Sequence, residues 1–431
     1  MPALQDADPG ATLSSRDKGV PTGIAEMPLN DVAAQGWNLL REDLPLPVAI
    51  LKDGALRQNS AWMRRFIQES RVQLAPHGKT TMAPELFQLQ LQDGAWGITL
   101  STPHQFSTAR ALGHKRIFIA NQIAGRAAIR DALRSIEEDA ELDLYSLVDS
   151  IEHVAKINLI AEELGQTRPL KVLVEKGFLG GRTGCRSVAD AVEVARAVAA
   201  SRCLVLAGVE GFEGIIRRAE PMETLAALEQ FLTEIVAVAE QCDREGLFTG
   251  PVLLSAGGSA FFDLVVKAFE QARLSVERTI LLRSGCYITH DSVMYTHAFK
   301  YLEARAPELF VQGGLRPALE VWAYIQSRPE SGRAIATIGK RDIGYDQMPV
   351  AESWYRPDGS MTAPQTLPTD HKVVRLDDQH GYIDLPPESP LQVGDMVSFG
   401  ISHPCLTFDK WRVLHIVNQD YDVIKSIRTY F

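Results

Sequence analysis

The chain has 431 residues, 45% of them hydrophobic, with 44 Lys and Arg against 54 Asp and Glu for a net charge of −10. That length admits two or three domains at roughly 150 residues each, although one α/β barrel can take about 250. The acidic balance excludes a general nucleic-acid binder. No apolar run approaches the roughly 20 residues that span a bilayer, and no basic, apolar leader opens the chain. The expectation is a cytoplasmic protein with neither nucleic-acid nor membrane partners. Its cysteines (Cys185, Cys203, Cys242, Cys286 and Cys405) are odd in number and scattered, which is no disulfide framework.

Residues 1 to about 30 are polar and rich in Pro, Gly, Ser and Asp, the texture of a mobile or loosely packed arm. The run Leu46–Leu51 is apolar and reads as a strand. Asn59 or Ser60 is placed to cap a helix ending at Ser70, with Trp62, Phe66 and Ile67 on one face. Eight short apolar runs follow: Val72–Pro76, Gly97–Leu100, Arg116–Ala120, Asp143–Val148, Lys171–Glu175, Leu204–Val209, Val252–Ser255 and Thr279–Arg283. Helix-like stretches separate them, the clearest being Pro84–Leu91, Pro103–Leu112, Ala124–Ile136, Ile151–Leu164, Ser187–Ala199 and Met222–Gln241. Alternating strands and helices imply a parallel sheet, and eight units fit a closed (β/α)8 barrel. An open doubly wound sheet is the alternative, but its Gly-rich first turn is here Pro76-His77-Gly78-Lys79.

After about residue 310 the pattern becomes β-branched and polar in alternation, at Leu319–Ser327, Arg333–Ile338, Lys372–Leu376, Met396–Gly400 and Arg412–Asn418. This predicts an all-β domain. The expected organisation is an arm over 1–45 partly joining that domain, a barrel over 46–305 and the β domain over 306–431. The run at Val48–Leu51 precedes the eight and can pair with the β domain.

Barrel active sites lie in the loops after the strands, and phosphate often sits in the last two. Gly257 and Gly258 let backbone N–H groups approach an anion, and Ser259 offers a hydroxyl and a possible cap for the next helix. Gly285 and Tyr287 can close the cup from the eighth loop. A GGS turn alone is usually only a turn, but two donor-rich loops at adjacent strands point to an anion site. Lys79, just past the first strand, is either a solvated surface lysine or a pocket-held nucleophile of the kind that binds pyridoxal phosphate. His77 beside it has no necessary role. Arg182 cannot act as a base, but it can hold a phenolate or carboxylate, or simply pair with a neighbouring loop. His403 and Cys405 are soft ligands on one side of a strand or turn, two donors of an incomplete zinc site, although a lone His-x-Cys is usually incidental.

Six motifs then occur in order: Ala75-Pro76-His77-Gly78-Lys79-Thr80, Gly94-Ala95-Trp96-Gly97, Gly180-Gly181-Arg182-Thr183-Gly184, Ser255-Ala256-Gly257-Gly258-Ser259, Arg283-Ser284-Gly285-Cys286-Tyr287 and Ser402-His403-Pro404-Cys405-Leu406-Thr407. Together, over about residues 46–420, the chain resembles the D-threonine aldolase and D-serine dehydratase group of pyridoxal-phosphate enzymes, which share the alanine-racemase-like fold of a barrel plus a β domain. The resemblance implies Lys79 as the cofactor-bearing lysine, with His77 beside it at the cofactor. It implies Gly257, Gly258, Ser259, Gly285 and Tyr287 as the phosphate cup. Arg182 then lies near the ring oxygen, and His403 and Cys405 hold Zn²⁺ or another divalent cation. Dehydratase-type members carry His-x-Cys and aldolase-type members His-x-Asp, so the implied activity is dehydration of D-serine or another 3-hydroxy-D-amino acid to a 2-keto acid and ammonia. The alternatives are a D-threonine-type aldolase, an amino-acid racemase or a non-catalytic cofactor carrier. A homodimer is implied as well. The chain departs from the family in the loop after strand six, where Gly211-Phe212-Glu213-Gly214-Ile215 lacks a usual histidine. It also departs at Leu282-Arg283-Ser284-Gly285 and in its long lead.

Overall fold

The computed structural model describes residues 7–431. These divide into two compact units. The first is built from Arg65–Lys79 and Gly94–Gly285. The second takes the described residues up to Arg64, together with Thr80–Asp93 and Cys286–Phe431.

The first unit holds eight parallel strands: β1 (Gln73–Leu74), β2 (Ile98–Leu100), β3 (Arg116–Gln122), β4 (Asp143–Val148), β5 (Leu170–Lys176), β6 (Leu204–Gly211), β7 (Val252–Ala256) and β8 (Arg278–Leu282). They pair in sequence from β2 to β8, and β8 pairs with β1. A parallel bridge between His77 and Thr99 joins β1 to β2 and closes the ring. This is the TIM-like barrel expected from the eight apolar runs. A core cluster of this unit holds Ala75, Phe118, Tyr145, Leu147, Leu173, Ala207, Leu253 and Leu281, with Trp96 packed against it. Every residue of β7 is buried, as a parallel strand covered on both faces requires.

The intervening helices start where the sequence supplies caps. The Thr102 hydroxyl accepts from Gln105 N, Ser150 accepts from His153 N, and Ser187 with Asp190 forms a reciprocal capping box. Ser259 makes no such cap: the next helix runs over Phe262–Phe269 and its cap has no side-chain bond.

The second unit is built on a largely antiparallel sheet. Strands Gln365–Thr366, Val350–Tyr355, Met396–Gly400, Leu319–Glu330, Arg333–Ala336, Gly381–Asp384 and Lys372–Leu376 lie in that order. Val48–Lys52 pairs antiparallel with Leu319–Trp322 and parallel with His415–Val417, which in turn pairs with Val423–Arg428. The run ahead of the barrel therefore belongs to this sheet. Strands Val350–Tyr355, Gly381–Asp384 and Val423–Arg428 were not among the runs expected, since each mixes apolar residues with polar or charged ones.

Two expectations change. The lead is packed: Ala11, Leu13, Val20, Leu29, Val32, Trp37, Leu39 and Leu44 share a core with Val48, Trp322, Met396 and Val413. Its polar composition concealed apolar residues spaced widely enough to reach one core, while its first six residues lie outside the described ones. The helix expected to start at Asn59 or Ser60 spans Asp53–Glu69 instead. Asn59 is interior and fully buried, its amide donating to Ile288 O (3.0 Å) and Arg316 O (2.8 Å). Tertiary partners thus satisfy a side chain that would otherwise prefer a cap.

Candidate functional site

At the C-terminal ends of the barrel strands, five loops bring charged groups together. After β1 the chain turns through a 3-10 segment, Gly78–Thr80, that carries half-buried Lys79. Thr99 fastens this turn: its N–H donates to Pro76 O (3.0 Å) and its hydroxyl to Ala75 O (2.7 Å). His77 Nε2 lies 3.3 Å from Ser101 Oγ. Burial, followed by the nearby Lys79, Arg283 and Arg182 cations, holds the His77 imidazole well below its usual value. His77 is therefore neutral, in a cluster of three cations.

The loop after β5 is organised by Arg186, which donates to the carbonyls of Thr183 and Gly184, both at 2.8 Å. Thr183 in turn donates to Glu175 (2.7 Å), and Gly184 N to Asp149 (3.0 Å). Arg182 lies on this loop with its guanidinium 5.0 Å from the centroid of the Phe212 ring, a cation–π arrangement.

The turn after β7 is where the sequence led us to expect an anion cradle. Gly257 adopts φ +93°, and a Cβ there would stand 2.7 Å from the Leu282 side chain. Its N–H and that of Gly258 both donate to the Glu213 carboxylate, at 3.1 and 2.7 Å. Ser284 braces the turn by donating to the Gly257 and Gly258 carbonyls at 3.0 and 3.1 Å. Gly285 is pressed against His77, whose backbone O would lie 2.5 Å from any Cβ at that position. Two convergent backbone N–H groups already donate to carboxyl oxygens, a donor arrangement that would also suit a phosphate. Glu213 would compete with that phosphate for the donors. Burial raises the Glu213 carboxyl above its usual range, against the pull of the glycine N–H groups. Ser259 sits half-buried at the end of the turn.

The sequence reading gave no role to Glu213 or to the buried Arg283–Glu210 pair. Arg283 Nη2 lies 2.7 Å from Glu210, and its other amine donates to Ser255 Oγ (2.5 Å). Burial pushes the Glu210 carboxyl up, with Arg283 opposing. The signals were present, since Arg283 precedes the eighth loop's glycine and Glu213 lies in the loop after β6, but only the strand ends brought together reveal their partners.

The second unit carries the remaining candidates. Tyr287 is buried in the 3-10 turn Cys286–Ile288 and its phenol pairs with Gln90; burial raises its pKa. His403 Nδ1 lies 2.8 Å from Asp346, and the ring also pairs with the Cys405 thiol. Cys405, which opens a short helix over Cys405–Phe408, has its Sγ 3.9 Å from Cys286 Sγ. The Cys405 thiol beside His403 raises that imidazole to about 9, and the Cys286 contact and His403 hold the Cys405 thiol below its usual range. Imidazole and thiolate suit zinc, and the Asp346 bond is the support that a metal-bound histidine normally has. The pair supplies two donors. Among the described residues, no group of three or more His, Cys, Asp or Glu side chains is arranged to hold a metal ion. No helix among the described residues is long and apolar enough to cross a membrane.

The family model "Alanine racemase, N-terminal domain" matches residues 52–274, and "Putative serine dehydratase domain" matches 318–417. A 3-hydroxy-D-aspartate aldolase of Paracoccus denitrificans (strain Pd 1222) is 23% identical over 222 residues, which are 51% of this chain and 56% of that protein. The chain thus spans little more than half the length of that relative. Among solved structures, the D-threonine aldolase from Filomicrobium marinum superposes with a TM-score of 0.72 at 21% identity, covering 91% of this chain and 96% of that one. The D-threo-3-hydroxyaspartate dehydratase from Delftia sp. HT23 gives 0.70 at 22% identity, covering 91% and 99%. These likenesses share the barrel and the β sheet described above. With one family model matching more than half of its residues and a second its strand-rich end, the chain belongs to the alanine-racemase-like, fold-type III pyridoxal-phosphate enzymes, in the D-serine dehydratase and D-threonine aldolase family.

Proposed function

We propose that the chain is a lyase that removes water from D-serine or another 3-hydroxy-D-amino acid, releasing a 2-keto acid and ammonia. The observation that carries this reading is the His403–Cys405 pair, in which a cysteine stands where an aldolase-type member would place an aspartate. The orientation of His403 by Asp346 supports it (2.8 Å). The dehydratase named among the similar structures is consistent with it.

In this reading Lys79 would hold the cofactor, and its amine would take the substrate α-proton as general base. Neutral His77 keeps a further positive charge away from the Lys79 amine. Gly257, Gly258 and Ser259 would hold the phosphate, with Gly285 and Tyr287 in the supporting roles the family implies, and the two glycine N–H groups would then turn from Glu213 to the phosphate. Arg182 would hold the ring oxygen. The cofactor supplies an electron sink for charge developing at Cα, and a divalent cation, with Zn²⁺ the best match to the donors, supplies a Lewis acid for the departing hydroxyl. His403 and Cys405 would hold that ion. A homodimer in the cytoplasm completes the proposal.

A second reading is Cα–Cβ cleavage, favoured by the aldolases among the relatives. One experiment separates the two: the purified enzyme, with and without added Zn²⁺, is given D- and L-serine and a panel of 3-hydroxy-D-amino acids. Keto acid and ammonia from the D-isomers alone is the expected result. Glycine and an aldehyde would establish the aldolase, and turnover of no substrate would remove both readings.

A further inference from the structure

Two of the five cysteines are neighbours, and nothing in the proposed reaction uses the second of them. Cys286 Sγ lies 3.9 Å from Cys405 Sγ, although 119 positions separate them in the chain. The Thr80 hydroxyl touches both sulfurs, at 3.7 and 3.5 Å. Cys286 is buried, whereas Cys405 is partly exposed at the start of its short helix. The barrel cysteines are placed otherwise: the Cys185 thiol donates to Asp149 O (3.2 Å) and Cys242 is buried within a helix. We propose that Cys286 and Cys405 are an oxidation site, a dithiol that a peroxide converts to a disulfide.

The sulfurs must approach by about 2 Å to reach the S–S bond length of about 2.05 Å, a movement on the scale of side-chain rotation at the two residues. Cys405, the more accessible, attacks one peroxide oxygen. The O–O bond breaks, water leaves and Cys405 carries a sulfenic acid. Cys286 sulfur then attacks Cys405 sulfur: the S–S bond forms, the S–O bond breaks, and the departing hydroxide takes the thiol proton as a second water. Overall, two thiols give up two electrons and two protons, and one peroxide becomes two waters. The link takes Cys405 out of the His403–Cys405 donor pair, a consequence that rests on the metal role proposed above. The oxidation itself does not depend on that role.

The test titrates hydrogen peroxide into the purified holoenzyme, both as isolated and after chelator treatment. The expected result is loss of the mass of two hydrogens, a peptide linking 286 to 405, and reversal by dithiothreitol. Cys286→Ser should form no link and should leave a Cys405 sulfenic acid that a dimedone-type probe labels. Absence of the link from both preparations, at peroxide levels that oxidise half-buried Cys203, overturns the proposal. So does over-oxidation of Cys405 to the same extent with and without Cys286. Metal content and turnover, measured on the same samples, separate the two ideas. A link that leaves both unchanged upholds the oxidation site and removes Cys405 from hydroxyl activation. Loss of turnover on chelation with no link formed does the reverse.

Discussion

The anion turn of the barrel and the thiol–imidazole cluster of the β unit are assembled in different ways. The turn is local: Gly257 and Gly258 are adjacent, their N–H donors are aimed by backbone geometry, and the Ser284 hydroxyl braces their carbonyls. The cluster is remote: Thr80, Cys286, Asp346, His403 and Cys405 come from four separate stretches, and each is aimed by a side chain. Backbone donors at a left-handed glycine cost little to hold in place. Side chains gathered from separate segments must be buried and braced, which is why Asp346 stands behind His403.

The largest expected effect lies on the barrel side. Lys79→Ala should abolish the visible absorbance of bound cofactor and lower turnover by about 10²–10⁴-fold or more, the scale of a lost general base. A coloured, active variant would break the assignment. On the β side, Asp346→Asn should weaken metal binding about 10–100-fold while leaving the cofactor absorbance intact, measured by metal analysis after dialysis. Equal loss of metal and cofactor would show that the two regions are not independent.

Stability against pH sharpens the contrast. Burial holds the His415 imidazole down to about 4, with its nitrogens bonded to Ser426 Oγ and Gly19 O at 2.7 and 3.0 Å. A depressed histidine contributes stability above its unfolded value, near 6.5, and loses it as pH falls toward 4. Relative to His415→Asn, the wild type should therefore lose up to about 3 kcal/mol on acidification through that window, read from urea midpoints. Glu213 has the opposite sign. Its raised carboxyl contributes stability below the ordinary carboxylate range and loses it as pH rises. The cofactor-free Glu213→Gln variant should gain on the wild type as pH rises above that range, and should bind pyridoxal phosphate severalfold more tightly because the two glycine donors are contested less. A variant with unchanged cofactor affinity would mean that Glu213 and the phosphate do not share them.

The smallest expected effect is Gly257→Ala. The positive φ and the Leu282 side chain 2.7 Å from the new Cβ should cost about 1–2 kcal/mol, seen as a lower melting temperature.

Most of the barrel was legible in the sequence. A covered parallel strand must be apolar throughout and its crossover helix needs a cap, so Val252–Ala256, Ile151–Leu164 and the Ser187–Asp190 box all announce themselves locally. Gly257, Gly258 and Lys79 could be named for the same reason, since loop position after a strand is a matter of chain order. What Glu213 does was hidden, because a carboxylate in a loop declares no partner. Asn59 and the lead were misread for a related reason: local preference says cap for one and arm for the other, and burial against distant segments overrode both. That Val48–Lys52 leaves the barrel for the sheet, that Arg283 pairs with Glu210, and that Cys286 meets Cys405 are all decided by tertiary structure. Periodicity and turn chemistry are properties of neighbouring residues, whereas the choice of partner across 119 positions belongs to the packed fold alone.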